Sequence, residues 1–190
     1  MVKKDILLIA KNMNKENYQK FSELKKEFEE KLSTIVYIGW NCKLDNFCSI
    51  KNTDKVIRLI WDYDPETATS FDEDEIPANL LWSTNQQIAD YFIVKEKEYC
   101  DHIIELTKKS ISQEEQGISD LRTTIKAMED LMKNSPSFAE NTEVVRILQT
   151  QKAMIESKEI RIANFQRKID EELNKYSRKI TNINIRLAKL

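Results

Sequence analysis

The sequence IDEELNKYSRKITNINIRLAKL, residues 169–190, ends the stretch that decides the fold, Ser83 to Leu190. Its apolar residues alternate at steps of three and four, which is the spacing of helices that pack along their length. Two rows of residues at intervals of seven run through the whole stretch and predict two long helices. The rows are Ile104, Ile111, Ile118, Ile125 and Met132, and Leu148, Ile155, Ile162, Ile169, Tyr176, Ile183 and Leu190.

The two rows are separated by a break at Asn134–Asn141. Pro136 disfavours a helical conformation of Ser135, so the first helix is expected to end there. Ser83 followed by Gln86 fits a capping box at the start of the same helix. The expected helices therefore span about 84–133 and about 142–189, and a short loop joins them.

Folding the helices back on each other at this loop predicts an antiparallel hairpin, or coiled coil. Facing residues would have numbers that add up to about 276, which sets the apolar end of the second helix against the apolar beginning of the first. The middle of the hairpin is expected to be poorer in apolar contacts. Its interruptions are Thr107, Glu114 and Gly117 in the first helix, and Lys152, Glu159 and Gln166 in the second.

The first 82 residues predict a small α+β head. Apolar residues recur every three to four positions over 15–32, which predicts an amphipathic helix. The segments 34–40 (TIVYIGW), 47–51 and 56–61 have the composition of strands and predict a short antiparallel meander. Residues 62–75 are rich in acidic side chains, show no period and predict a loop. The expected fold is therefore α+β, with a head over 1–82 and a long helical hairpin over 83–190.

The composition restricts the cellular setting. Charged residues make up 33% of the chain but the net charge is only −2, so no overall attraction to nucleic acid or membrane is expected. Cys42, Cys48 and Cys100 lack the spacing of a disulfide framework, which favours a reducing compartment. No stretch reaches the apolar length of a membrane span. We therefore expect a cytoplasmic protein with no membrane partner.

The candidates for catalysis are few. His102 is the one histidine, so the sequence holds no histidine-based catalytic pair or triad that its spacing supports. Two glycines, Gly39 and Gly117, cannot build a glycine-rich phosphate loop. We therefore expect a chain that is not an enzyme and needs no cofactor.

Metal binding also finds weak support in the sequence. The three cysteines and His102 would be enough ligands for zinc, but Cys100 and His102, two residues apart on a helix, point to nearly opposite sides. Asp62, Asp64 and Glu66 alternate as in calcium loops, but Thr67 stands where an EF-hand requires glycine. We therefore expect no metal site.

The favoured hypothesis is a non-enzymatic protein that binds another protein, or assembles, through its coiled-coil hairpin. Apolar surface left over along the helices, with Phe138 at the loop, is the expected contact surface. A homodimer would bury such surface as well. The identity of the partner does not follow from the residues.

A second hypothesis places function in the acidic segment. A negative patch could dock on the basic surface of a nucleic-acid-handling enzyme and inhibit it, as an effector encoded by a phage or mobile element could do. The acidic residues of this segment are Asp62, Asp64, Glu66, Asp72, Glu73, Asp74 and Glu75.

A third hypothesis is nucleic-acid binding by a basic stripe on the last helix. No aromatic residues interleave with the stripe, which weakens the argument for binding single strands, and nucleic acid is the less favoured partner. The stripe consists of Arg161, Lys168, Lys175, Lys179, Arg186 and Lys189.

Overall fold

The computed structural model describes residues 15–53, 55–61 and 73–190, and for 15–21, 48, 49 and 52 it describes the backbone alone. The elements are α1 (Lys15–Trp40), β1 (Phe47–Asn52), β2 (Val56–Trp61), β3 (Glu73–Pro77), α2 (Asn85–Asn134), α3 (Pro136–Ala139) and α4 (Thr142–Leu187), with short 3₁₀ helices at Leu44–Asn46 and Ala78–Trp82. A small helix-and-sheet part followed by a long helical hairpin agrees with the predicted fold class.

Packing divides these elements between two compact units. The mixed unit comprises the described residues up to Lys95 together with Ile180–Leu190, and the hairpin unit comprises Glu96–Lys179. Both long helices therefore contribute to both units. The division into domains 1–82 and 83–190 stays a prediction.

Helix α1 is longer than predicted, and the strand expected over 34–40 is wrong. The helix continues to Trp40 because Leu32, Ile35 and Val36 lie on one helical face and are fully buried. Burial of that face outweighs the β-propensity of the branched residues, which is a weak preference. Asn41 ends the helix with a φ of 57°, and its backbone N–H donates to the Tyr37 carbonyl at 3.0 Å.

The sheet is antiparallel in the order β1-β2-β3. The strands predicted over 47–51 and 56–61 are confirmed. The third strand is β3, whose residues 73–75 were expected to be loop, so that part of the loop prediction is wrong. Ile57 pairs with Ile76 in the register of β2 and β3, and both side chains are buried. The acidic residues of β3 obscured this strand because Ile76 is its one large apolar residue.

The core of the mixed unit draws on α1, the sheet, the start of α2 and the end of α4. Trp40 meets the rings of Phe47, Trp61 and Phe92 edge-on, with centroids 5.0–6.4 Å apart. Gly39 makes room for this cluster, since a β-carbon there would lie 2.5–2.9 Å from atoms of the Phe92 ring. The largest fully buried side chains of this core are Leu32, Ile35, Val36, Ile38, Ile57, Leu59, Ile76, Ile88 and Ile183.

The two long helices begin and end close to their predicted positions. The capping box at the start of α2 is formed by Thr84 and Gln87, one residue after the predicted pair: the Gln87 backbone donates to the Thr84 hydroxyl and the Thr84 backbone to the Gln87 side chain. Asn141 caps α4 through its side-chain oxygen, which accepts from the Glu143 and Val144 backbones.

Within the hairpin unit, cross-helix contacts confirm the predicted antiparallel alignment. Ion pairs join residues whose numbers add up close to the expected value along the whole unit. These pairs are Glu96–Lys179 at 2.6 Å, Glu114–Lys158 at 2.6 Å, Arg122–Glu159 at 3.0 Å and Glu129–Lys152 at 2.8 Å.

One row of the α4 seam differs from the prediction. The second set of inward-facing residues stands three positions after Leu148, Ile155, Ile162 and Ile169, whereas the prediction placed it four positions after them. Lys152, Glu159, Gln166 and Leu173 are therefore exposed, and the partly buried residues are Gln151, Lys158, Phe165 and Glu172. Both sets neighbour the row that begins at Leu148 on the helix surface. A spacing of seven residues therefore does not show by itself which set faces the other helix.

Candidate functional site

The hairpin unit has two edges with different chemistry. On the ion-paired edge, Arg122 faces Glu159 and Lys152 faces Glu129 across the two helices. Exposed pairs of this kind each contribute roughly 0–1 kcal/mol, so they align the helices more than they stabilise them. Along this part of the edge the charges satisfy one another, whereas Leu173, farther along the same row of α4, is 47% exposed.

The seam contains a polar layer made of Glu114, Lys158 and Arg161. Glu114 lies 2.6 Å from Lys158 Nζ and 3.2 Å from Arg161 Nε, and the Glu114 and Lys158 side chains are only 17% and 19% exposed. The Lys158 hydrogen bond, together with the charge of Arg161, lowers the pKa of Glu114 against the opposing effect of burial.

Gly117 provides the space for this polar layer. A β-carbon at Gly117 would lie 2.8 Å from Lys158 Nζ, so the lysine side chain lies across the helix where a larger residue would stand. A partly buried ion pair adds little stability, but a shifted register would leave its charges unpaired. The layer therefore favours one register of the two helices, and it accounts for two of the predicted interruptions, Glu114 and Gly117.

The second edge, the open edge, carries an apolar patch. Arg161 of α4 and Gly117 of α2 lie in its polar part. On the same side of α4, Met154 and Ile147 stand seven and fourteen residues before Arg161. On the same side of α2, Leu131 stands fourteen residues after Gly117. The side chains of Leu131, Met154 and Ile147 are 55%, 47% and 39% exposed. Three large apolar side chains at one edge, beside a seam already filled, form the strongest candidate for a binding surface.

The predicted acidic site is only partly described. Asp62, Asp64, Glu66 and Asp72 lie outside the described residues. In β3, Glu73 and Glu75 lie 3.4 Å and 2.8 Å from Arg58 Nε, and Asp74 accepts a hydrogen bond from Trp61 Nε1 at 2.7 Å. These three carboxylates take part in contacts within the mixed unit.

The predicted basic stripe is engaged at most of its positions. Arg161 contacts Glu114, Lys175 contacts Glu172 at 2.5 Å, and Lys179 contacts Glu96. Lys168 and Lys189 are exposed. Arg186 is half-buried in the mixed unit, where its guanidinium donates to the Gly39 carbonyl at 3.4 Å, the carboxyl end of α1. Phe138, predicted at the loop, lies half-buried in α3.

The cysteines and His102 fall in separate places. Cys42 belongs to the mixed unit, whereas Cys100 lies in the hairpin seam with its thiol 3.8 Å from the Glu172 carbonyl oxygen. Burial raises the pKa of the Cys100 thiol, which disfavours the reactive thiolate. His102 is exposed. Among the side chains that the structure describes, which leave out Cys48, no three potential metal ligands come together.

The described helices include none that is both long and apolar enough to cross a membrane. Comparisons with models of known families, with curated proteins and with solved structures found no match.

Proposed function

We propose that this chain is a non-enzymatic interaction or assembly protein that binds another protein chain through the open edge of its helical hairpin. The observation that carries the proposal is the apolar patch of Leu131, Ile147 and Met154. These side chains are exposed although the hairpin seam beside them is closed. Covering them removes apolar surface from water, which is the main driving force of protein association.

The contrast between the two edges supports the choice of surface. The ion-paired edge presents charges that already have partners, so binding there would first require their desolvation. The open edge presents apolar side chains and, next to them, Arg161 with guanidinium hydrogens left over from its contact with Glu114. A partner would gain apolar burial and a charged contact on the same edge.

The proposal is tested by photo-cross-linking in cells of the native host. A photoreactive residue at Met154 is expected to give a defined adduct with another chain. The matched control is Ile160 of the same helix, which is 63% exposed but lies outside the open edge. An adduct at 154 and none at 160 supports the proposal. Equal labelling at both positions, or none at 154, overturns it.

The acidic segment carries no second proposal. Its described carboxylates contact Arg58 and Trp61 within the mixed unit, and its other four acidic residues lie outside the described residues.

A further inference from the structure

The open edge has a regular layout along the hairpin unit. One row of α2 and one row of α4 border it, and each row repeats every seven residues, or two helical turns. The antiparallel alignment sets the two rows opposite each other in five facing pairs. From the loop onward the pairs are Leu131–Ile147, Thr124–Met154, Gly117–Arg161, Ser110–Lys168 and Ile103–Lys175.

The chemistry of these pairs changes along the edge from apolar to basic. The first two pairs contain the three exposed side chains of the apolar patch. The next three pairs contain Arg161, Lys168 and Lys175, each opposite an uncharged residue of α2. Neither row contains an acidic residue. A molecule lying along the edge therefore meets apolar surface first and basic side chains after it.

Contacts within the hairpin leave part of this positive charge uncompensated. Glu114 is shared by two cations, since Lys158 Nζ lies 2.6 Å from one carboxylate oxygen and Arg161 Nε lies 3.2 Å from the other. One carboxylate neutralises only one of these two charges. Lys168, in the next pair, is exposed and has no ion pair among the described residues. At Arg161 and Lys168 the edge therefore presents positive charge to a partner.

The spacing of the pairs selects the shape of the partner segment. Neighbouring pairs are seven residues apart on each helix, which corresponds to about 10.5 Å. A third helix repeats its side chains at the same interval, and the small residues Ser110, Gly117 and Thr124 allow it to come close. An extended segment repeats its side chains about every 6.6 Å and would not match the pairs.

We propose that the occupant of the open edge is an acidic amphipathic helix of a partner protein. Its apolar side chains cover Leu131, Ile147 and Met154, and carboxylates farther along the same helix face Arg161 and Lys168. This inference rests on the proposed function and names the chemistry of its partner.

Two other occupants fit the edge less well. Nucleic acid would contact the basic residues, but its phosphates would gain nothing from the apolar pairs. A second copy meeting along this edge would bring together only the apolar, small and basic residues of the two rows, so no acid from either row would face Arg161 or Lys168. An acidic amphipathic helix complements both parts of the edge.

Fluorescence anisotropy with designed helical peptides tests the charge preference of the full chain. The two probes share leucines at heptad positions of one end and differ at the other end, where one carries glutamates and the other lysines. The glutamate peptide is expected to bind about tenfold more tightly at low salt, and the difference should shrink as the ionic strength rises. Equal affinities, tighter binding of the lysine peptide, or no binding of either up to about 0.5 mM overturn the proposal.

Two matched charge reversals locate the effect on the chain. Lys168→Glu is expected to weaken binding of the glutamate peptide by about threefold to tenfold and to strengthen binding of the lysine peptide. Lys126→Glu makes the same change on the ion-paired edge, where the exposed Lys126 lines a groove with Arg122 and Glu159. It is expected to leave both affinities within about twofold of the wild type. Circular dichroism checks that both variants keep their helices, and an equal loss in both overturns the placement on the open edge.

Cross-linking from position 154 in cells separates failure of this inference from failure of the proposed function. If the adduct with another protein is undiminished in Lys168→Glu and the peptides show no preference, the acidic helix is wrong and the interaction role stands. If the adduct contains a second copy of the chain, or nucleic acid, that molecule is the occupant and the acidic helix is again wrong. If the glutamate peptide is preferred but no adduct forms in cells, the proposed function fails although the edge has the expected charge preference.

Discussion

The two compact units reach burial in different ways. In the mixed unit, helices and a sheet approach the core from several directions, and residues such as Ile35 and Ile57 are entirely shielded from water. In the hairpin unit two helices meet along a single seam, and even its best-buried isoleucines, such as Ile118, keep some contact with solvent. A cavity in a core enclosed on all sides costs much free energy. The stability of a two-helix seam comes instead from many contacts along its length.

The glycines of the chain show the same contrast. Gly39 lies against the rigid ring of Phe92, which is fixed by its edge-on contact with Trp40. Gly117 lies against the end of the flexible Lys158 side chain. Packed aromatic rings fix the positions of elements around Gly39 in the mixed unit, whereas paired charges align the helices around Gly117 in the hairpin unit.

Truncating one buried isoleucine to alanine in each unit is expected to give the largest difference in the free energy of unfolding. Ile35→Ala should lower the free energy of unfolding by about 4 kcal/mol, because the surrounding core cannot collapse into the gap. Ile118→Ala should cost about 2 kcal/mol, because neighbouring side chains and water can reach the seam. Urea unfolding followed by far-UV circular dichroism measures both values.

Tryptophan fluorescence provides a second signal, since Trp40, Trp61 and Trp82 all belong to the mixed unit. Ile35→Ala is expected to shift the fluorescence transition more than Ile118→Ala does. Equal losses of free energy for the two substitutions would contradict the difference in packing between the two units.

A smaller and opposite pair of effects is expected from adding one methyl group at each glycine. Gly39→Ala should destabilise the chain by about 1–3 kcal/mol, because the new β-carbon overlaps the Phe92 ring and the ring cannot move freely. Gly117→Ala should range from neutral to about 1 kcal/mol stabilising, because alanine favours the helix and Lys158 can move aside. Thermal and urea unfolding of the two variants measure the sign of each change.

A matched background sharpens this second prediction. In a Lys158→Met background, the shorter side chain leaves more room beside residue 117 and the ion pair with Glu114 is already lost. Gly117→Ala should then raise the free energy of unfolding by the full difference in helix propensity between alanine and glycine. If Gly117→Ala destabilised the chain as much as Gly39→Ala, the flexible neighbour would not be the feature that distinguishes the two sites.

The smallest expected effect is the pH dependence contributed by the polar layer. The pKa of Glu114 is lowered in the folded state, so its stabilising contribution is present above the pKa of the unfolded chain, about 4.3. That contribution is lost as the pH falls through the lower folded value. Glu114→Gln should therefore reduce the melting temperature at neutral pH, and the difference from the wild type should shrink in acid.

Glu115→Gln serves as the control for this titration. Glu115 is exposed and has no ion pair among the described residues, yet its substitution removes the same charge from the next position of the helix. A pH-dependent loss as large in this variant would show that general surface charge, and not the contact with Lys158 and Arg161, is responsible.

The sequence alone determined the hairpin to within about a residue at most helix ends, because long periodic rows repeat the same signal many times. The break at Pro136 is local, so it could be identified without knowing the fold. The alignment of the two helices followed from the position of the loop. The patch of Leu131, Ile147 and Met154 was not singled out, although its spacing of seven in α4 was present in the sequence.

What the tertiary structure decided were choices between local patterns of nearly equal strength. The segment 34–40 has the composition of a strand but forms helix, because its Ile35 and Val36 continue the buried face begun by Leu32. Residues 73–75 have the composition of a loop but form a strand. Their backbone hydrogen-bonds with β2, Arg58 forms an ion pair with Glu75, and Trp61 donates a hydrogen bond to Asp74. The inner row of α4 includes Lys158, which reaches Glu114 of the other helix over Gly117. Each of these outcomes depends on a neighbour distant in sequence, and local patterns carry no information about such contacts.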